Sequence, residues 1–255
     1  MKIISFTIDV EPDLHSNTYK GITEGIPKIL SLLNKYKIKA TFFVTCDCIE
    51  KYPEVFKKLI KEGHEIALHG YRHVRFDELT YKEKEENIKK SIECFKKYLK
   101  IKPKGFRAPQ HSIDKETLFL LKKYKFEYDS SITPWNFYHL LFFWKIKLKL
   151  VHNFRKMKPH FWGGLKEIPI SSFIMPFSSV TLRILPKYLL MIYLFFISIY
   201  KKPIFMIHSW DLINIPNSKI YKLSKKEKFI SQLEILLLFF SKKRKFVTLN
   251  NLPPI

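Results

Sequence analysis

Apolar stretches with the period of a β-strand alternate with stretches that have the period of a helix along most of this 255-residue chain. The apolar side chains from Ile4 to Val10 alternate onto one face of a strand predicted at residues 2–10. In residues 23–36 apolar side chains recur at helical spacing instead. Similar strand and helix patterns recur to the C-terminus. Repeated units of this kind predict a parallel sheet covered by helices, which is an α/β fold.

The predicted strand ends carry the polar side chains that most deserve a functional interpretation. Further strands are predicted at 40–44, 65–68, 105–108, 126–128, 167–171, 203–207 and 246–249, and further helices at 53–63, 80–99, 114–124, 185–200 and 224–241. In parallel sheets, sites form beyond the C-terminal strand ends. The side chains at or just after such ends are Asp9, His69, Arg107, Asp129 and His208. We therefore expect one site, in a single domain that spans residues 1–255, with no repeat and no linker.

The charge balance bears on partners. The chain has 46 Lys and Arg residues against 23 Asp and Glu residues, a net charge of +23. This excess predicts an anionic partner such as an acidic glycan or an anionic membrane surface, or it reflects a general lysine bias. The lysines gather in no RNA- or DNA-binding motif, so we expect no nucleic acid partner. The three cysteines form no disulfide framework.

Two apolar segments raise the question of a membrane. Residues 188–200 are about 13 in number, short of the roughly 20 that span a bilayer, and they predict a buried helix, with an interfacial helix as the alternative. In the aromatic segment 134–162, Phe142–Trp144 adjoins lysines, which favours contact with anionic lipid. We recognise no signal peptide before the first strand, and we expect a cytoplasmic protein or one at the inner face of the membrane.

Four residues in two short segments suggest metal-assisted hydrolysis. His69 and His73 are four residues apart, which on a helical turn puts both imidazoles on one face, where one ion can bind; such pairs also arise by chance. Asp9 and Glu11 close the first strand and can supply a general base and a metal ligand. A solvated acidic loop is the alternative for that segment.

Two more strand ends would complete such a site. Arg107 follows a strand and can pair with a buried carboxylate, which keeps that carboxylate ionised; otherwise it is a surface side chain in a turn. His208 ends an apolar strand, where a lone histidine is more often structural. The site otherwise lacks a general acid, and His208 would provide one.

The order and spacing of these segments resemble the polysaccharide deacetylase family over nearly the whole chain. The similar segments are Thr7–Glu11, Glu62–Ile66 with His69–His73, Phe106–Pro109, Tyr128–Ser131, Leu165–Pro169 and Ile207–His208. Three positions depart from the family pattern: Val10 replaces a second aspartate, Gln110 replaces a tyrosine, and Trp135 lies farther along than the family's tryptophan. The first departure matches a subgroup with an Asp-Val-Glu motif, in which Glu11 would bind the metal.

The resemblance implies an irregular (β/α) barrel with fewer than eight strands. It implies a metal-dependent hydrolase that removes an acyl group, expected to be N-acetyl, from an amino sugar in a glycan or in a lipid- or nucleotide-linked saccharide. Zinc or another divalent transition metal would be bound by Glu11, His69 and His73. The backbone N–H of Gln110 would stabilise the oxyanion, and Trp210 would contact the carbohydrate substrate.

The resemblance also implies the residues that move protons. Asp9 would be the base and Arg107 would orient it. His208 would be the general acid, and Asp129 would tune it. Two alternatives stay open: a metal-free amidase of the same fold that acts on a small cyclic amide, and a non-catalytic relative that binds glycans.

Overall fold

The computed structural model describes most of the chain. The described residues are 2–13, 16, 18–134, 156–214 and 226–253. Trp135 and the Phe142–Trp144 cluster lie outside them, so the predictions that rest on these aromatic residues stay predictions.

The described elements alternate between strands and helices as the sequence predicted. The strands are β1 (Ile3–Val10), β2 (Thr41–Val44), β3 (Glu65–Leu68), β4 (Gly105–Phe106), β5 (Tyr128–Asp129), β6 (His160–Trp162), β7 (Leu165–Glu167), β8 (Ser172–Phe173), β9 (Met175–Pro176), β10 (Ile204–His208) and β11 (Lys245–Phe246). The α-helices are α1 (Ile26–Lys35), α2 (Cys46–Lys51), α3 (Pro53–Lys61), α4 (Tyr81–Cys94), α5 (Lys115–Lys123), α6 (Ser179–Ile184), α7 (Lys187–Ile197) and α8 (Lys226–Ser241). The sequence did not predict α2, α6, the strand β6 or the β8–β9 hairpin.

The main sheet curls into an irregular (β/α) barrel. Its path runs β10-β1-β2-β3-β4-β5-β7-β6, and β11 pairs with the start of β1. Seven strands of this path are parallel and β6 is antiparallel to β7. After β7 the chain reaches the opposite edge, where the Ser171 N–H donates to the Ile204 carbonyl at 3.2 Å. The predicted barrel is confirmed: the parallel path stays below eight strands, and β6 and β11 bring the described sheet to nine.

The strand pleat divides the core into two layers. Phe42 faces the helices and belongs to the large cluster between them and the sheet. Its neighbour Phe43 points into the barrel, where it joins a smaller cluster that includes Ile3, Tyr128 and Ile168. Successive side chains of a strand point to opposite faces, so this packing also turns Asp9 toward the inside of the barrel, in the register position beside Phe43.

Helix α4 shows how closely local sequence sets an element boundary. Thr80 caps the helix through its side chain, which accepts from the Glu83 N–H, while the Glu83 carboxylate accepts from the Thr80 N–H at 2.8 Å. This reciprocal capping box satisfies two backbone donors that helix geometry leaves unpaired. The predicted start of the helix at Thr80 is therefore confirmed.

Helix α7 is buried on one side only. Leu190, Leu194 and Ile197 are fully buried, whereas Ile192 and Phe195 are more than half exposed. The predicted buried helix is thus correct for one face and wrong for the other. None of the described helices combines the length and apolar character that crossing a bilayer requires.

Candidate active site

The strand register brings the predicted site residues to one end of the barrel. Asp9 lies opposite His208 across β1 and β10, while the ends of β3 and β4 meet at Leu68 and Phe106, next to His69 and Arg107. A cavity of about 260 Å³ opens at this end. It is lined by Asp9, Glu11, His69, His73, Ala108, Gln110, His111, Ser179, Val180, His208, Trp210 and Asp211. Seven of the nine predicted site residues are therefore in its wall.

Glu11, His69 and His73 form a compact group of possible metal ligands. The Glu11 Oε2 atom is 3.1 Å from His69 Nε2 and 2.5 Å from His73 Nε2. One ligand atom from each residue lies within 4.8 Å of the others. Burial raises the pKa of the Glu11 carboxyl, but hydrogen bonds from the two histidines outweigh it and hold that pKa far below its usual range. The Glu11 carboxylate is therefore ionised at neutral pH.

The contacts of His69 orient its ring so that Nε2 can bind a cation. Its Nδ1 atom is 2.8 Å from the backbone carbonyl of Arg107. Because a carbonyl oxygen only accepts, Nδ1 carries a hydrogen, and Nε2 is the ring nitrogen that faces Glu11. Nε2 lies 3.1 Å from Glu11 Oε2, and either a proton or a metal ion between the two atoms would offset the carboxylate charge. In known metal sites, a hydrogen bond from the other ring nitrogen to a carbonyl or carboxylate orients the ligating histidine in the same way.

The two histidines reach the cavity without a helix. The sequence predicted that the four-residue spacing would act through a helical turn, and this is wrong, since residues 69–73 form an irregular bend. Gly70 has φ = +86°, and an added Cβ would lie 3.2 Å from the Phe76 ring. Glycine adopts this backbone conformation at little cost. The sharp turn at Gly70 is what returns His73 to the side of His69.

Asp9 and Arg107 form a buried ion pair beside the ligand group. Arg107 Nη1 is 2.6 Å from Asp9 Oδ1 and 3.1 Å from Thr7 Oγ1. The guanidinium lies 4.1 Å from the Phe43 ring centre and also donates to the Ser130 carbonyl. Burial raises the pKa of Asp9, but Arg107 and the nearby histidines lower it overall. Arg107 thus keeps Asp9 ionised in a fixed orientation.

His208 pairs with Asp211, and the predicted pairing with Asp129 is wrong. Asp211 Oδ2 accepts from the His208 N–H at 2.7 Å and lies 3.8 Å from His208 Nδ1. Burial lowers the pKa of His208, but the Asp211 carboxylate outweighs it and raises that pKa to about 9. Trp210 stacks on the imidazole with ring centres 4.7 Å apart. His208 is therefore protonated at neutral pH and held in place.

Asp129 lies behind the cavity wall, where it supports the loop after β4. Its carboxylate accepts from the Ser131 hydroxyl at 2.6 Å, while the Ser131 oxygen accepts from the Ala108 N–H at 2.8 Å. Across the sheet Asp129 is in register with Glu167. Burial and the Asp129 charge raise the pKa of Glu167 well above its usual range, so this pair shares a proton. The hydrogen bonds of Asp129 therefore lead to Ser131 and Glu167, whereas those of His208 lead to Asp211.

The loop after β4 lines the cavity with a strained backbone. Gln110 and His111 have φ values of 51° and 57°, a region that few residues other than glycine adopt. His111 is fixed by a contact of 3.1 Å between its Nδ1 atom and the Ser131 carbonyl. Gln110 is in the cavity wall as predicted, and the role of its N–H as an oxyanion donor stays a prediction.

Apart from Ala108, which lies in the predicted Phe106–Pro109 segment, sequence reasoning missed four lining residues: His111, Ser179, Val180 and Asp211. Two of them had a local signal, since His111 directly follows Gln110 and Asp211 comes three residues after His208. Ser179 and Val180 begin helix α6, which the sequence did not predict. The same helix places Arg183 so that its Nη2 atom donates to the Asp211 carbonyl at 2.6 Å. Arg183 thereby supports the partner of His208.

Comparison with known proteins places this arrangement in a family. A family model described as "Polysaccharide deacetylase" matches residues 1–128. The peptidoglycan deacetylase of Helicobacter pylori is 37% identical over 124 residues, which are 49% of this chain and 42% of that protein. A peptidoglycan-N-acetylglucosamine deacetylase of Bacillus cereus is 31% identical over 133 residues, which are 52% of this chain and 44% of that protein. The chain thus aligns with less than half the length of these relatives.

Solved structures agree on the fold. A protein from Mycobacterium smegmatis that has been assigned to the polysaccharide deacetylases superposes with a TM-score of 0.66 at 18% identity, over 96% of this chain and 85% of that one. This likeness extends beyond residue 128, the limit of the family match, into the half that carries β10. With just over half of its 255 residues matched by the family model, the chain belongs to the polysaccharide deacetylase family.

Proposed function

We propose that this protein is a metal-dependent carbohydrate deacetylase, which hydrolyses the N-acetyl group of an amino sugar. One observation carries the proposal: a cavity of about 260 Å³ brings together a Glu-His-His ligand group, an ionised carboxylate and a protonated histidine. Metal-assisted amide hydrolysis needs these three parts, because water must be activated and the leaving amine must be protonated.

Glu11, His69 and His73 are the residues that would hold the ion. When bound there, a divalent metal would lower the pKa of water and polarise the acyl oxygen. The ligand set of one carboxylate and two imidazoles suits zinc, and it also accepts other divalent transition metals.

The chain's own residues supply the proton transfers and the orientation. Asp9 accepts the proton of the attacking water, and Arg107 keeps its carboxylate ionised and correctly turned. The Gln110 N–H would stabilise the developing oxyanion. His208 donates a proton to the departing amine, because the Asp211 carboxylate keeps its imidazole protonated. General acid and base catalysis of this kind contributes about 10²- to 10⁴-fold each.

The substrate we propose is an N-acetylated amino sugar of a cell-wall glycan or of its lipid- or nucleotide-linked precursor. The relatives named above are deacetylases of peptidoglycan and of its N-acetylglucosamine, which supports this class. The cavity is smaller than the roughly 300–1,000 Å³ typical of sites for drug-sized ligands. It suits one sugar ring and its acyl group, with the stacked Trp210 as an apolar wall.

Neither alternative fits the site as well. A metal-free amidase has no use for three ligand atoms within 4.8 Å of one another. A protein that only binds glycans has no use for the Asp9–Arg107 pair or for a histidine whose pKa is raised to about 9.

Metal content and turnover of one histidine variant test the proposal. The purified protein should contain about one divalent ion per chain and release acetate from N-acetylglucosamine oligomers. We expect His69→Ala to lose both the ion and detectable turnover, since a three-ligand site seldom survives the loss of one ligand. His160→Ala is the matched control, because His160 lies on β6 outside the cavity wall. Full metal occupancy in His69→Ala, or turnover that survives chelation, would contradict the proposal.

A further inference from the structure

The outer face of α7 is apolar, exposed and uncharged. Its side chains follow helical spacing, with exposures between 41% and 68%. They are Tyr188, Met191, Ile192, Phe195 and, just past the helix, Ile199, and we refer to them as the α7 face. No charged residue occurs between 188 and 199. Contiguous exposed apolar surface of this kind marks a site of contact with another molecule or with a membrane.

The β8–β9 hairpin extends the α7 face. Its tip residue, Ile174, is 62% exposed and has φ = 58°. For a β-branched residue this backbone conformation is a genuine outlier, and glycine or asparagine would fill it at lower cost. Phe173 stacks on Phe196 with ring centres 4.3 Å apart, which holds the tip beside the C-terminal half of α7. An apolar side chain is thus presented to the surroundings at a strained position.

Lysines frame this apolar surface at both ends. Lys187 is the first residue of α7. Beyond the other end, a groove of about 610 Å³ is lined by Phe173, Phe196, Ile199 and Tyr200 together with Lys158, Lys201 and Lys202. The lining contains no acidic residue. The frame is therefore uniformly positive, around a surface with no charge of its own.

We propose that the α7 face and the Ile174 tip dock the protein onto an anionic lipid bilayer. Aromatic and aliphatic side chains would enter the boundary between headgroups and acyl chains, as in interfacial helices. The framing lysines would meet the anionic headgroups, and each contributes about a fivefold gain in affinity at such a surface. The groove beside Phe173 and Phe196 would receive acyl-chain carbons below the headgroups that Lys201 and Lys202 contact.

Charge decides between a bilayer and a second copy of the chain. A two-fold interface pairs the same patch with itself, so the positive frames would face each other. Like charges placed opposite each other in an interface are costly, whereas an anionic bilayer complements the whole frame. This docking surface shares no lining residue with the catalytic cavity, so the inference does not depend on the proposed reaction.

Vesicle co-sedimentation with a matched pair of variants tests the inference. Vesicles of phosphatidylcholine with and without 30% phosphatidylglycerol would be mixed with the protein across a salt series. Phe195→Glu is compared with Phe119→Glu, because the two phenylalanines are 60% and 59% exposed and Phe119 lies on α5. We expect binding to the anionic vesicles only, weakened by salt. Phe195→Glu should reduce it at least tenfold, since it removes a ring that would enter the bilayer and adds a negative charge that the anionic headgroups repel.

Three outcomes would overturn the inference. The first is recovery of the wild-type protein in the supernatant with anionic vesicles at low salt. The second is equal loss of binding in Phe195→Glu and Phe119→Glu, since the α7 face would then have no special part. The third is a dimer in sedimentation velocity that Phe195→Glu dissociates while vesicle binding stays unchanged, which would assign the face to a second copy. Circular dichroism would verify that both variants fold.

Discussion

The two halves of the chain contribute differently to the site. Residues 1–128 match the family model and carry the ligand group, Asp9 and Arg107 at the ends of β1, β3 and β4. The second half contributes His208 from the end of β10, with Trp210 and Asp211 from the turn after it, and β10 pairs with β1 across about 200 residues of sequence. Short motifs define the first group almost completely. The second group reaches the site only because β10 pairs with β1, and this pairing depends on packing between segments that are far apart in the sequence.

The largest expected effect tests the first half. Asp9→Asn should lower turnover by about 10²- to 10⁴-fold, the share of a general base, and should leave metal content unchanged. The amide keeps the size of the carboxylate and an oxygen that can accept from Arg107, so the fold should persist. Steady-state rates on an N-acetylated oligosaccharide, together with metal analysis of the same sample, provide the measurement.

The same substitution at another buried strand end serves as its control. Asp129→Asn removes a carboxylate that acts on Ala108 through Ser131 and does not line the cavity. We expect turnover to fall less than tenfold. If Asp129→Asn cost as much as Asp9→Asn, Asp129 would be part of the proton-transfer machinery after all. If Asp9→Asn lost the metal, Asp9 would be a ligand.

The second prediction concerns the second half. His208→Ala should lower kcat by about 10²- to 10⁴-fold with little change in KM, because a general acid acts only as the amine departs. Metal content should stay at the wild-type value, in contrast to His69→Ala. An unchanged kcat would make His208 a structural residue. Loss of the metal in His69→Ala and loss of kcat without loss of metal in His208→Ala would show that the first half binds the ion and the second half supplies the general acid.

The sequence was sufficient for the fold and for most of the site, and the reasons are local. Periodicity and caps locate β1, β3, α4 and β10, because each element's own residues determine its boundary. The strand-end positions of Asp9, His69, Arg107 and His208 then follow from the parallel sheet. The family resemblance assigned Glu11 to the ligand group, and the geometry of that group is consistent with it.

What the sequence could not provide depends on contacts between distant segments or on unusual backbone geometry. The pairing of His208 with Asp211 needs the turn after β10, and the support from Arg183 needs α6, a six-residue helix with little sequence signal. The chain bends sharply at Gly70 where a helical turn was expected. How tightly it turns depends on the Phe76 ring packed against Gly70, and the local sequence does not show that contact. The exposure of the α7 face likewise cannot be read from the sequence, because an apolar helix shows which face is exposed only once its packing partners are known.

The smallest expected effect is a shift along the pH axis. The Asp211 carboxylate raises the pKa of His208 from 6.5 to about 9, and the general acid works only while protonated. Activity should therefore persist through neutral pH and fall as the pH rises through about 9. Asp211→Asn removes the charge, so the pKa of His208 should return toward 6.5 and the alkaline limb of kcat/KM should move to lower pH. At pH 7.5 about a tenth of the imidazole would then be protonated, which predicts an approximately tenfold loss.

Asp129→Asn is again the comparison, since the sequence had paired Asp129 with His208. Its alkaline limb should stay at the wild-type position, because Asp129 contacts Ser131 and Glu167, whereas His208 contacts Asp211. A profile of kcat/KM from pH 6 to 10 for the wild type and both variants distinguishes the two carboxylates. A limb that moves in Asp129→Asn and stays fixed in Asp211→Asn would restore the original pairing. Asp129 would then be the carboxylate that sets the pKa of His208, as the family resemblance implied.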